Sequence, residues 1–410
     1  MKRIPDSMTP VEAWGLLSLQ QPLGIESRPV ADARGHCLAE QIRVPCDVPD
    51  ANRSFMDGFA VRSADVASVP AKLKVRGEVF MGKIPATTLN PGEAMSIPTG
   101  GFLPKGSDAV VMQEDITRTG DELVVRRSVS PQENVQRQGE DFKANDCLFD
   151  AHHVLRAQDI AALATFGIKE VRVYRKPVLA IISTGNELVP FEHEPEPAQI
   201  RETNALALSG AAQQFGFTVH TLGIVRDELD AQIQAMKSAL DRADVVLVSG
   251  GSSVGERDFT LEVIRSFANS SVIFHGLAIR PGNPTIFARV GDRFVFGLPG
   301  QPVSSLIVFY QFVLPYLFHL SGEQMDYGRF NEQKFASVFA SLDQEVKPLK
   351  IKTDYMRVRL RFVNDKWVAT PVAGKSASLS TLSQADGFTI IAPGDLALAE
   401  GTSIRTFIFP

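Results

Sequence analysis

Three acidic side chains in the middle of the chain stand in matching places. Glu187 follows the apolar run Val178 to Ser183, Asp227 follows Val219 to Val225, and Asp258 comes a few residues after Asp244 to Ser249. If these runs are parallel strands of an open α/β sheet, their carboxyl ends lie on the edge where ligands bind, and the three carboxylates converge. Convergent carboxylates suit a magnesium ion, or accept hydrogen bonds from a heterocycle. Asp227 also precedes a helical segment, where capping the helix N-terminus is the plainer reading.

Small-residue loops fall at the same junctions. In Ser249-Gly250-Gly251-Ser252-Ser253-Val254-Gly255, which leaves a strand and enters a helix, amides and hydroxyls can surround a phosphate, although glycines after a strand are often only turn makers. Two further turns, Arg280-Pro281-Gly282-Asn283-Pro284 and Leu298-Pro299-Gly300-Gln301-Pro302, fix the backbone at two more strand ends. Arg280 can clamp an anion or form a surface salt bridge. Nearer the N-terminus, Arg53 to Ala60 places Asp57 beside Gly58, and Gln138 to Phe142 places Glu140 and Asp141 beside Gly139. Neither a helix face nor a core needs these carboxylates, and each segment also reads as a simple turn.

Several other chemistries are disfavoured. The G-x-G-x-x-G dinucleotide fingerprint is absent, and no G-K-[ST] segment ends a P-loop. Three cysteines, Cys37, Cys46 and Cys147, are too few and too scattered for a zinc cage or a disulfide framework, and the seven histidines show no ligand spacing. A net charge of -5, from 42 basic and 47 acidic residues, provides no general field for nucleic acid. The start, Met1 to Ser7, lacks the apolar segment of a secretory signal, so a cytoplasmic protein is expected. Leu306 to Leu320 is short for a bilayer span and is interrupted by Gln311, Pro315 and His319, so it reads as a buried helix and no membrane partner is expected.

The elements that must position these groups follow from periodicity. A chain of 410 residues exceeds what one core usually holds, which predicts several domains. Residues 177–325 alternate apolar strand runs with amphipathic helices, the pattern of a three-layer α/β domain, with Thr203 or Asn204 placed to cap the helix that ends near Phe215. Residues 44–139 read as a β-rich insert of short strands between Gly, Pro and Asn turns. Residues 27–43 and 140–176 form a small α/β linking layer, and residues 326–410 return to period two as a β-barrel-like domain. Residues 1–26 supply a helical region that packs with the α/β domain.

In order along the chain, Met56-Asp57-Gly58-Phe59-Ala60, Pro98-Thr99-Gly100-Gly101, Ala109 to Glu114, Gly139-Glu140-Asp141, Ser183 to Leu188 and Ser249 to Asp258 together resemble the molybdopterin molybdenumtransferases, a family that includes the C-terminal part of gephyrin. The resemblance spans nearly the whole chain. It implies four domains, a homodimer whose active site is completed by partner loops, and insertion of molybdate into adenylylated molybdopterin with magnesium, releasing AMP and forming molybdenum cofactor. It implies catalytic roles for Asp57, Asp141 and Asp258, with Glu187, Asp227 and Asp258 as metal ligands. Thr99, Glu187, Asp227, Gly250, Gly251, Ser252, Ser253, Gly255, Arg280, Pro281, Gly282, Arg357 and Ser376 would meet the substrates. Transient contacts with other cofactor-synthesis enzymes also follow from it. The chain departs from the family where two lysines are usual, carrying Arg280 and Asn283, and where P-G-N-P is usual, carrying Gln301. Those changes leave open a tungstate-inserting paralogue, or a protein that binds the pterin without turnover.

Overall fold

The computed structural model describes residues 7–250, 259–394 and 396–410. Its contacts divide the chain into two compact units, residues 40–153 with 157–170, and residues 1–39 with 154–156 and 171–410.

The first of these is the β-rich unit. Its strands are β1 (Gly58–Val61), β2 (Ala71–Glu78), β3 (Glu93–Ile97), β4 (Ala109–Met112), β5 (Ile116–Thr119) and β6 (Glu122–Val125), in one sheet of order β4-β1-β3-β2-β6-β5. Side chains alternate across it: Phe59 and Val61 pack with Leu73, Val111 and Leu123, whereas Ala60 packs with Met95, Ile97 and Val110. Strands β1, β3 and β4 are therefore apolar on both faces, whereas Lys72, Lys74 and Arg76 leave one face of β2 charged and exposed. An Ala-rich segment forms the helix Ala157–Thr165 in the same unit.

The larger unit contains the α/β sheet. Strands β7 (Val178–Thr184), β8 (Thr218–Val225), β9 (Val245–Ser249) and β10 (Ser270–His275) are followed by the two-residue β11 (Ile279–Arg280), then β12 (Ile286–Val290) and β13 (Arg293–Leu298). The sheet order is β8-β7-β9-β13-β12-β10, with β8, β7, β9 and β13 parallel. Successive residues face opposite layers, as the three-layer pattern requires. Leu179, Ile181, Val245 and Leu247 meet the helices Asn204–Gln214 and Pro302–Leu320, while Ala180, Ile182, Val246 and Val248 meet Leu229–Arg242 and Phe259–Arg265. Ala13, Trp14 and Leu17 of the helix Pro10–Leu17 join the first layer.

Pro302–Leu320 is long and apolar enough to cross a membrane by composition, yet 89% of its apolar window is buried within the protein. Pro315 has no N–H to bond back to Gln311, and the helix continues past it through a π turn at Phe309–Val313. At the N-terminal ends of the strands, Asp244 accepts Arg175 Nη1 and Nη2 at 2.7 and 2.9 Å, the Val178 N–H at 3.0 Å, and Arg293. This charge cluster ties β7, β9 and β13 together on the side away from their carboxyl ends.

Two capping expectations are corrected. The Thr203 side chain makes no cap bond at Asn204–Gln214; instead Glu202 Oε1 accepts the Ala205 N–H at 2.8 Å, because the longer side chain reaches the free amide. Asp227 does not cap Leu229–Arg242 either, since Glu228 holds the cap position without a side-chain bond.

Strands β14 (Ser337–Leu342), β15 (Thr353–Val363), β16 (Lys366–Pro371), β17 (Gly387–Ile391) and β18 (Ser403–Ile408) close into a five-stranded barrel, because β15 pairs with both β16 and β17. Strand β11 adds to β15 in parallel, placing Ile279 opposite Thr353 and Arg280 opposite Asp354. That pairing sets the barrel beside the loops of the α/β sheet.

Candidate active site

The carboxyl ends of the parallel strands bring Glu187 and Asp227 together. Burial, and then the charge of Glu187, push the Asp227 carboxyl above its ordinary value, even though it accepts Gln232 Nε2 at 3.2 Å. Two like charges at a partly buried edge favour a cation between them. Among the described residues, no group of three His, Cys, Asp or Glu forms a metal set. Asp258, the third carboxylate expected there, lies outside the described residues, as do Gly251, Ser252, Ser253 and Gly255.

Gly250 is described, at φ 107°, and a side chain on it would run into the carbonyl and hydroxyl oxygens of Thr184. Only glycine lets the backbone leaving β9 lie against the end of β7 this closely. Gly300 approaches it in turn: a Cβ there would stand 3.4 Å from Gly250 Cα. Asn204, read from the sequence only as a helix cap, holds this arrangement. Its Nδ2 donates to Ser249 Oγ and to the Gly300 carbonyl, both at 2.8 Å.

Gly300 also lines a cavity of about 1120 Å³ between the two proline-glycine turns and the barrel. Arg280, Pro281, Gly282, Arg357 and Ser376 all line it, so five of the expected substrate-binding residues meet in one place. Arg357 is 8% exposed; its Nη2 reaches the Gly374 carbonyl at 3.3 Å, and its Nε is buried with no hydrogen-bond partner. Burial lowers the Arg357 pKa, and although Asp354 partly offsets this, Arg280 adds to the lowering. A buried guanidinium with an open donor suits an anion.

Of the two readings of Arg280, the salt bridge is the one formed. Its Nε donates to Asp354 Oδ1 at 3.1 Å and its Nη2 to Oδ2. Asn283 donates to the Leu277 carbonyl at 2.5 Å and to the Ser7 hydroxyl oxygen at 3.1 Å, while the Ser376 hydroxyl donates to Gln301 Oε1. Asp354, Lys352 and Lys375 also stand on the cavity wall, and no motif in the sequence points to them. The parallel pairing of β11 with β15 identifies Asp354, and no local periodicity reports a pairing between segments this far apart.

In the β-rich unit, Asp57 and Thr99 are joined. Asp57 Oδ1 accepts the Thr99 N–H at 2.7 Å and its hydroxyl at 3.0 Å, and these bonds, the backbone one foremost, hold the carboxyl below the usual range. Asp141 is exposed, in a turn whose N–H donates to the Val48 carbonyl at 3.0 Å. Gly139 N–H donates to the Pro49 carbonyl, also at 3.0 Å, so the turn is zipped to the loop that leads toward Asp57.

Residues 8–167 match the family described as MoeA N-terminal region (domain I and II), residues 180–319 the probable molybdopterin binding domain, and residues 340–409 the MoeA C-terminal region (domain IV). A molybdopterin molybdenumtransferase from Staphylococcus epidermidis is 31% identical over 382 residues, covering 91% of each chain. Another from Staphylococcus aureus is 34% identical over 291 residues, covering 70% of this chain and 69% of its own. A crystal structure of the molybdopterin biosynthesis MoeA protein from Pyrococcus horikoshii superposes with a TM-score of 0.83 at 32% identity, covering 99% of this chain and all of that one.

Proposed function

The chain belongs to the molybdopterin molybdenumtransferase family, transferases of molybdenum cofactor biosynthesis, and from that premise we propose that it inserts molybdate into adenylylated molybdopterin with magnesium, releasing AMP and forming molybdenum cofactor. The observation that carries this reading is the arrangement within one unit. A cation-lined cavity has the unpartnered Nε of Arg357 on its wall and Gly300 at its border; Gly300 lies against Gly250 at the end of β9, and Glu187 and Asp227 stand after the carboxyl ends of the parallel strands β7 and β8.

In this reading the cavity holds the oxyanion. Arg357 binds it with a fixed guanidinium geometry, and Ser376, Pro281 and Gly282 shape the surrounding wall. The glycine- and serine-rich segment that follows Ser249 is proposed to receive a phosphate of the substrate. Glu187 and Asp227, with Asp258, would hold magnesium, which when bound offsets the charge on the leaving AMP. Asp57, which Thr99 orients, and Asp141 are proposed as further hydrogen-bond acceptors for the substrates. The homodimer is proposed as the working form, and sedimentation at micromolar concentration tests it: a monomer would remove it.

Arg357→Met tests the cavity reading. The variant is expected to lose oxyanion-dependent AMP release while its fold, followed by circular dichroism, is kept. Wild-type turnover by a folded Arg357→Met protein would sink the reading.

A further inference from the structure

The cavity beside the barrel carries more positive charge than its ion pairs consume. Among its described lining residues are four cations, Arg280, Lys352, Arg357 and Lys375, and one carboxylate, Asp354. Arg280 is committed to that carboxylate through two nitrogens. Three cations remain, and they differ in kind. Arg357 is buried with Nε unpartnered, Lys375 is exposed, and Lys352 is half-buried. Among the described residues, neither lysine has a carboxylate partner.

Position makes Lys352 the stronger of the two lysines. It immediately precedes β15, and side chains alternate along a strand, so it shares a face with Asp354 and Met356, which also line the cavity. Arg280 stands directly opposite Asp354, which places Lys352 one pleat from that neutralised pair. Charge on a half-buried ammonium beside low-dielectric walls is focused into the cavity, whereas an exposed ammonium such as Lys375 is screened by salt. An ammonium also acts as a point charge without directional demand, so it adds attraction while the Arg357 fork sets orientation.

We propose that Lys352 is the residue that sets the affinity of this cavity for a divalent tetrahedral oxyanion, supplying beside Arg357 the charge that Arg280, paired with Asp354, does not. The proposal rests on the reading of the cavity as the oxyanion site. The same chemistry is presented by a free metal oxyanion and by a phosphate group of the bound substrate.

The test is equilibrium dialysis of the full-length protein against molybdate, with bound metal measured by mass spectrometry, in parallel with inorganic phosphate. Lys352→Gln is expected to weaken molybdate binding about tenfold, the scale of one well-placed charge, and to raise KM for molybdate with little change in kcat. Lys352→Arg should stay within about threefold, and Lys375→Gln should lose less than about threefold, because its charge is screened. If phosphate displaces molybdate at equal concentration and shows the same loss in Lys352→Gln, the residue serves a substrate phosphate. If phosphate does not compete, Lys352 serves the free oxyanion. Molybdate binding by Lys352→Gln within about twofold of wild type overturns the proposal. In that case, loss in Arg357→Met leaves the cavity as the oxyanion site, whereas normal binding there, or no binding by the wild type, removes the cavity reading as well.

Discussion

Asp227 sits half-buried with Glu187 beside it, and both effects raise its carboxyl above the ordinary value. A group whose folded-state pKa is raised favours folding only while protonated. The contribution is fully present below the unfolded value, about 3.9, and is lost as pH rises through the folded value. At neutral pH the ionised side chain therefore costs stability, and bound magnesium should relieve that cost. Asp227→Asn is expected to raise Tm at pH 7 by about 1–2 °C, to give no gain near pH 3, and to abolish turnover. Calorimetry checks this, and magnesium should raise Tm of the wild type but not of the variant. The Arg280 pair permits an opposite kind of test. Asp354→Asn removes the only carboxylate among the described lining residues and releases the guanidinium, so molybdate should bind about three- to tenfold more tightly by dialysis. Unchanged or weaker binding would show that Arg280 cannot reach the anion.

Between the elements, single side chains fix how strand ends and turns meet. Asn204, at the start of Asn204–Gln214, joins the end of β9 to the turn after β13 through its two 2.8 Å bonds. Asn204→Ala leaves the buried Ser249 hydroxyl and the Gly300 carbonyl without that donor, and is expected to cost about 1–2 kcal/mol in denaturant unfolding and to lower kcat more than it changes KM. At the other edge, burial works to raise the Asp244 carboxyl, but the bonds from Arg175 and Val178 and the charges of Arg175 and Arg293 outweigh it and hold the group below its ordinary value. Its contribution is present above the unfolded value and lost as pH falls through the folded one. Asp244→Asn should cost about 2–3 kcal/mol at pH 7, less than a fully buried pair because both arginines reach solvent, and this deficit should shrink in acid. Neither role was visible in the sequence. The strands were legible because apolar alternation is local, and the positions of Glu187 and Asp227 followed from them. The Glu202 cap and the Asn204 bonds depend on which side chain reaches which neighbour, and no period reports that.

At the scale of the whole molecule, the three-layer α/β domain, the β-rich insert and the closed barrel were all legible as changes of period along the chain. The cavity was not, because it exists only where β11 adds to β15 and brings residues 279–284 against residues 352–357 and 371–376. Arg357 and Ser376 are legible in the sequence only through the family resemblance, whereas Lys352 and Asp354 join the cavity only through the fold. The departures at Arg280, Asn283 and Gln301 acquire physical content in the same way: one forms an ion pair, one pins a turn, and one accepts the Ser376 hydroxyl. The most direct test of the proposed reaction is AMP release by the purified full-length protein from adenylylated molybdopterin and magnesium, with molybdate, tungstate or no added oxyanion. Release that depends on an oxyanion, and that falls in both Arg357→Met and Asp227→Asn, is expected. Release at the same rate without any oxyanion, or none under any condition while the pterin still binds, would contradict it.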